Sequence, residues 1–439
     1  MKYVSKASKA FFGIFKERNS KRNSKKNIEQ LEVSNKEKNV ISLKSSFFFK
    51  QHKTDFKQPA NFRLPRKVDR VILGIAYTLI AIGLVVVVSS SYAATRVYSL
   101  ANFHFAIKHL IFCAVGLFCI RFFSTKLHWL DKFGKILWFA SVVGLVAVLI
   151  FGGSVKGASR WISLFGVSFQ PSEFAKIAVI LEGAKYVEKN WKMFAITYII
   201  PISLIILQPD LGNTVLISSL AIAQLITKRF DMKYILVGLI GVILLITAAY
   251  FLFDHVHLRI NTFLNPTVDI FGAGYQSYKS FLAMRNGGLF GRGFGKGVMK
   301  DFLPDAHTDF VFCVIVEEFG VLGGLFVIGL FFALGYRVLK MLAFDEYIQM
   351  VQYSFVICIL SQAWLNIAST LSLIPTKGLT LPLVSYGGSG MIMQGISFGI
   401  LIAASRVSSR FEKTPVAKYL AHGKKNINFK LNSMMKQKH

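Results

Sequence analysis

From Val71 onward the chain alternates long apolar runs with short polar breaks. At about 20 residues per bilayer-crossing helix, these runs predict about ten spans, near residues 70–92, 105–123, 133–151, 172–188, 194–208, 211–227, 233–253, 309–336, 350–373 and 382–405. Runs so long and so poor in charge have no polar face to turn to water. The pattern therefore predicts an all-α polytopic membrane protein, not a soluble domain. Residues 1–69 differ sharply: they are rich in Lys, Asn and Ser ("ERNSKRNSKKN") and show little apolar periodicity. They are expected to be a disordered basic tail, with a second basic tail at 406–439 and the spanning domain between them.

The breaks orient the spans. Lys and Arg collect in the first tail, in 124–135, 188–192, 227–233 and 336–340, and in the last tail. With ten spans all of these fall on one side. The positive-inside rule makes that side the cytoplasm and places both termini there. The other side then carries 152–170, a long extracytoplasmic loop at 254–308 between the seventh and eighth spans, and 374–381. The long loop is Gly-rich ("FGAGYQ", "NGGLFGRGFGKG"), and connections of such length are more often functional than connective. Its "GRGFGKG" run follows no strand and fits neither dinucleotide nor P-loop spacing. There is no internal repeat of the kind inverted-repeat transporters carry.

Composition changes this picture little. The chain has 439 residues, is 53% hydrophobic and carries a formal net charge of +30. That charge sits in tails and short loops, where topology accounts for it, so membrane lipid and not nucleic acid is the expected partner. Cys113, Cys119, Cys313 and Cys358 lie in apolar stretches without metal-ligand or disulfide spacing. "FFGIF" at 11–15 is too short for a signal-peptide core.

The ionisable residues on the outward side are the candidates for chemistry. In "LPDAHTDF", Asp309 opens the eighth span and admits two readings. One is a carboxylate favouring a helix N-terminus. The other is a general base, partly desolvated, with Asp305 and His307 orienting or tuning it. Glu317 and Glu318 lie deeper, where each has to be paired, protonated or facing a polar cavity. In "QPSEFAK", Pro171 suits the first helical position, and Glu173 and Lys176 are i, i+3 neighbours, either an ion pair or groups facing a cavity. "GASRW" supplies Arg160 and an interfacial Trp161. "PTKGLTLPLVSYGGSG" breaks the chain between the last two spans, with Lys377 at its tip and Ser385 to Gly390 starting the last helix. In "QPDLG", Asp210 is placed to cap the sixth span.

Taken in order, "GASRW", "QPSEFAK", "QPDLG", "FGAGYQ", "LPDAHTDF" with "EEFG", and "PTKGLTLPLVSYGGSG" resemble the signature segments of the SEDS family (shape, elongation, division and sporulation) over about residues 68–408. "PTKGLTLP" resembles the division branch more than the elongation branch. The resemblance implies the SEDS fold and an outward-facing peptidoglycan glycosyltransferase that polymerises lipid II into β-1,4-linked strands. It makes Asp309 the catalytic carboxylate and Glu173, Lys176, Arg160 and Lys377 functional positions. Gln276, His307 and Ser385, within matching motifs, and the loop cations Arg285, Arg292 and Lys296 complete the expected substrate-binding set. One base suffices, because a lipid diphosphate leaves as a weakly basic anion and requires positive charge more than a proton. No cofactor is evident, and no ligand spacing demands a divalent cation. The implied partners are lipid II and a class B penicillin-binding protein with other division proteins, at the septal plasma membrane. A lipid II flippase and a non-catalytic division scaffold are the alternatives.

Overall fold

The computed structural model describes residues 68–97, 104–127, 130–155, 158–164, 167–228, 230–264, 272, 274–341, 345–376 and 378–411. The two expected tails, apart from 68–69 and 406–411, and Lys377 lie outside the described residues. Ten helices follow the predicted runs: α1 (Arg70–Val97), α2 (His104–Phe123), α3 (Leu130–Phe151), α4 (Pro171–Tyr186), α5 (Trp191–Leu207), α6 (Leu211–Thr227), α7 (Met232–Leu252), α10 (Val311–Leu339), α11 (Glu346–Thr370) and α12 (Gly388–Phe411). Two more, α8 (Asp254–Leu264) and α9 (Tyr275–Gly287), lie within the connection expected to be a loop.

Length and apolarity suit α1, α2, α3, α7, α10, α11 and α12 to crossing a membrane; α5 and α6 are apolar but shorter, at 17 residues each. The helix α4 has a different logic. Of its 16 residues 13 are buried, among them Glu173, Lys176 and Glu182. It packs on α3, α5, α6 and α11, so its polar groups meet protein and never lipid, which is why a mixed sequence can sit at the centre of an apolar bundle. Pro171 occupies its first turn, as its missing N–H allows. At the start of α6 the Asp210 side chain accepts from the Asn213 amide at 3.2 Å, the cap expected there.

Ion pairs mark one end of the bundle. Arg337 near the end of α10 meets Asp69 before α1 at 2.7 Å, and Lys228 after α6 bridges Glu188 at 2.7 Å and Glu346 at 2.9 Å. The opposite end carries three connections that build the site. The first is not a plain loop. It is an antiparallel three-stranded sheet of β1 (Gly153–Val155), β2 (Ala158–Leu164) and β3 (Val167–Phe169), with Gly153 opposite Trp161 and Ile162 opposite Phe169. Hydrophobic runs cannot reveal hairpins this short.

The second connection is the long one expected at 254–308, and it carries structure of its own. After α8, the helix α9 turns down along α10, and residues 288–293 bond to its backbone. The amides of Arg292 and Gly293 donate to the carbonyls of Glu317 and Glu318, both at 2.9 Å, and Val321 donates to Gly288 at 2.9 Å. At this level α10 is broken by Gly320, whose φ is 76°. A helix broken within an apolar belt frees backbone groups that water cannot reach, and the returning segment satisfies them. Gly320 and Gly291 face each other there, and a Cβ on either would overlap the opposing backbone.

The third connection ends later than expected. The last helix begins at Gly388, not at 382, because Leu383 takes a positive φ of 60° and the Ser385 hydroxyl bonds back to the chain.

Candidate active site

Asp309 is held by its main chain and points its carboxylate to an open glycine. The N-cap of α10 is Phe310, with no side-chain cap bond, so Asp309 stands one position before the cap, at the N-terminal end of the helix. Asn366, from α11, donates to the carbonyl of Asp309 at 2.8 Å and to that of Leu379 at 2.6 Å. That amide ties the segment before α10 to the segment 378–380. A Cβ built on Gly378 would stand 3.3 Å from Asp309 Oδ2 and 3.8 Å from Arg160 Nη1. Carboxylate and guanidinium thus both border one exposed, side-chain-free position.

Arg160 reaches this point from β2. Its Nη2 donates to the Pro209 carbonyl at 2.5 Å, while its buried Nε stands 4.0 Å from Asp210 Oδ2 and has no hydrogen-bond partner. Asp210 is already engaged: Asn213 Nδ2 donates to Oδ2 at 2.8 Å and Gln170 Nε2 at 3.3 Å. A second guanidinium, Arg259 of α8, reaches the Thr376 carbonyl at 3.5 Å. Burial lowers its pKa most and Arg160 lowers it further, while the charges of Asp309 and Asp210 raise it. Sequence reasoning missed Arg259. Its signal was the amphipathic run "DHVHLRINTFL", which marks a helix inside the supposed loop.

His307 and Ser385 fasten this segment from the other side. The His307 ring lies 4.6 Å from Phe105 and 5.3 Å from Tyr386, centroid to centroid, and its carbonyl accepts from the Tyr386 amide at 2.9 Å. Burial lowers its pKa to about 4 against a smaller opposing pull from Asp305. Ser385 donates to the Thr308 carbonyl at 2.6 Å and accepts from the Leu381 amide at 2.8 Å. Asp305 has a φ of 61°, a left-handed turn that Asp tolerates better than most residues.

The remaining candidates divide by depth. Glu173 and Lys176 form a buried pair at 2.6 Å, and Lys176 also donates to Gln362 Oε1 at 2.8 Å. Gln362 in turn donates to the Thr380 carbonyl at 3.0 Å, so this pair supports the 378–380 segment from within the bundle. Arg285, Arg292 and Lys296 are exposed. The Arg292 backbone is bonded beside Glu317, which at 1.5 Å per residue is roughly 12 Å along α10 from Asp309. Gln276 is half-buried in the first turn of α9. Glu317 accepts from the Val298 amide at 2.9 Å, and Glu318 pairs with Lys300 at 2.7 Å and accepts from Ser89. Lys300, buried and also donating to Ser89 at 2.6 Å, was not singled out from sequence. A lysine in a polar loop gives no sign of going inside.

The family model for the FtsW/RodA/SpoVE group, described as "Cell cycle protein", matches residues 69–410. This chain belongs to that family. A FtsW/RodA/SpoVE relative from Caulobacter vibrioides, named "Probable peptidoglycan glycosyltransferase FtsW", is 36% identical over 352 residues, covering 77% of this chain and 89% of its own. One of the same name from Alcanivorax borkumensis is 35% identical over 365 residues, with 77% and 93% covered. Among solved structures, a chain from a peptidoglycan synthase complex matches with a TM-score of 0.63 at 25% identity, covering 78% of this chain and 98% of its own. The rod shape determining protein RodA of Thermus thermophilus matches with a TM-score of 0.58 at 24% identity, covering 78% and 97%. The fold is that of the SEDS proteins, and the chain is a multi-pass membrane protein.

Proposed function

We propose that this chain is a peptidoglycan glycosyltransferase that polymerises lipid II into β-1,4-linked glycan strands during septal wall synthesis, with Asp309 as general base. The observation that carries the proposal is that the Asp309 carboxylate and the Arg160 guanidinium both border the open Gly378, in a family whose relatives bear that enzyme's name. The acceptor 4-hydroxyl attacks the anomeric carbon of the donor, and a new C–O bond forms. The hydroxyl proton passes to Asp309. The bond from the anomeric carbon to the diphosphate oxygen breaks, and the diphosphate leaves with the electron pair. One displacement at an α-linked carbon inverts it. Arg160 and Lys377 are assigned to the growing negative charge, which a positioned cation stabilises more in the transition state than before it.

Glu173, Lys176, Gln276, His307 and Ser385 shape this site and its segments; Arg285, Arg292 and Lys296 are assigned to the approach of the anionic substrate. The site end of the bundle faces outward, the ion-paired end and both termini face the cytoplasm, and a class B penicillin-binding protein is the partner. The chemistry as written requires no cofactor. The deciding experiment is polymerisation of lipid II by the purified full-length chain with its cognate transpeptidase. Asp309→Asn keeps shape and loses proton affinity, so activity should fall by about 10²–10⁴-fold, the usual worth of a positioned base. Full activity in that variant would overturn the proposal.

A further inference from the structure

Arg160 is expected to meet an anion on sequence grounds, but Arg259 enters the site only through the fold. We propose that Arg259 is a diphosphate-binding residue, which with Arg160 forms a guanidinium pair gripping the lipid-linked diphosphate beside Asp309. The class of ligand rests on the glycosyltransferase reading; the pair itself rests on position. Arg259 reaches the Thr376 carbonyl at 3.5 Å, two residues before Gly378. Gly378 in turn lies beside Asp309 and Arg160 and is exposed, so a ligand can reach this point.

Two half-buried guanidiniums repel each other, and here they are close enough for Arg160 to weigh on the protonation of Arg259. Asp210 offsets this only in part, since its oxygens already accept from Asn213 and Gln170. The Arg160 Nε remains a buried donor without a partner. Planar guanidinium forks suit phosphate oxygens, which each can bind with two parallel hydrogen bonds. As the bond from the anomeric carbon breaks, the electron pair and its charge pass to the diphosphate, which the pair then holds. The proton goes the other way, to Asp309.

Arg259 also bears on the base. Among the described residues, the charged or titratable groups near Asp309 include Arg160 from β2, Arg259 from α8, Asp210 before α6, and Asp305 and His307 of its own segment; Lys377 lies outside the described residues. Removing one cation from this set raises the proton affinity of a neighbouring carboxylate. The acid limb of the pH–activity profile should therefore move to higher pH in Arg259→Met.

The test uses the full-length chain carrying Asp309→Asn, so that no turnover is required. Binding of inorganic pyrophosphate, of undecaprenyl diphosphate and of undecaprenol is measured with and without Arg259→Met. Both diphosphates should bind about 10- to 100-fold more weakly, the usual worth of hydrogen bonds to a charged group, and undecaprenol should be unaffected. Arg259→Lys should retain part of the affinity; it carries the test alone if Arg259→Met does not fold. Undiminished diphosphate binding would overturn the inference, and so would an equal loss for undecaprenol, which would make Arg259 a structural strut. Diphosphate binding through Arg259 in a chain that never polymerises lipid II would leave this inference standing and remove the enzyme reading. Normal polymerisation with Arg259→Met would do the reverse.

Discussion

The role proposed for Asp309 depends on what its neighbours are not. Gly378 presents no side chain, so the carboxylate and Arg160 share an open point with the surface, whereas a larger residue would fill the space where a hydroxyl has to approach. His307, two residues earlier, is the opposite case: it is buried against Phe105 and Tyr386 and kept neutral. Its pKa is the ordinary 6.5 when unfolded and about 4 when folded. The unfolded chain therefore takes up this proton first as pH falls. The stability that depends on a neutral His307 is complete above about pH 6.5 and is lost progressively towards pH 4. Melting temperatures of the purified protein should fall across that window, and His307→Gln should flatten the dependence. An unchanged slope in the variant would show that His307 does not carry it.

At the scale of elements, the returning segment 288–300 and the broken helix α10 form one unit. Backbone bonds join them around Gly320, and side chains lock them: Glu317 takes the amides of Val298 and Met299, and Glu318 takes Lys300 and Ser89. The Lys300–Glu318 pair is almost fully buried, with side-chain exposures of 6% and 0%. Removing one partner strands the other charge, so Glu318→Gln should cost roughly 3–5 kcal/mol of stability. Replacing both, as Lys300→Met with Glu318→Leu, should recover much of it. Thermal unfolding of the two variants in detergent checks this; equal stability of Glu318→Gln and the parent would mean that the pair does not fasten the segment. The same unit explains why the two glutamates are tolerated so deep in an apolar helix: they face protein that has come in from the loop, not lipid.

For the whole molecule, topology is the quantity on which the proposed function stands. The four cysteines are buried, so single engineered cysteines report cleanly. Asp254→Cys at the start of α8 should react with an impermeant maleimide in intact cells, and Asp231→Cys before α7 only after permeabilisation. The reverse result would turn Asp309 inward and remove it from any extracytoplasmic chemistry. The sequence by itself determined the ten helical runs, the Asp210 cap, the Pro171 start and the set of motifs that place the chain in its family, because hydrophobic run length, capping chemistry and motif order are local properties written residue by residue. It also marked Asp309, Arg160, Glu173 and Lys176, since charge in apolar surroundings is rare enough to notice. Only the tertiary structure decided that Lys176 faces inward to Glu173 and Gln362, that Ser385 clamps Thr308, that 288–300 folds against a broken helix, that Arg259 reaches Thr376, and that Lys300 leaves a polar loop for the interior. Those placements depend on partners far apart in the chain, 186 positions for Lys176 and Gln362 and 77 for Ser385 and Thr308. Burial of a charge is decided by the partner that meets it, and local sequence carries no record of that partner.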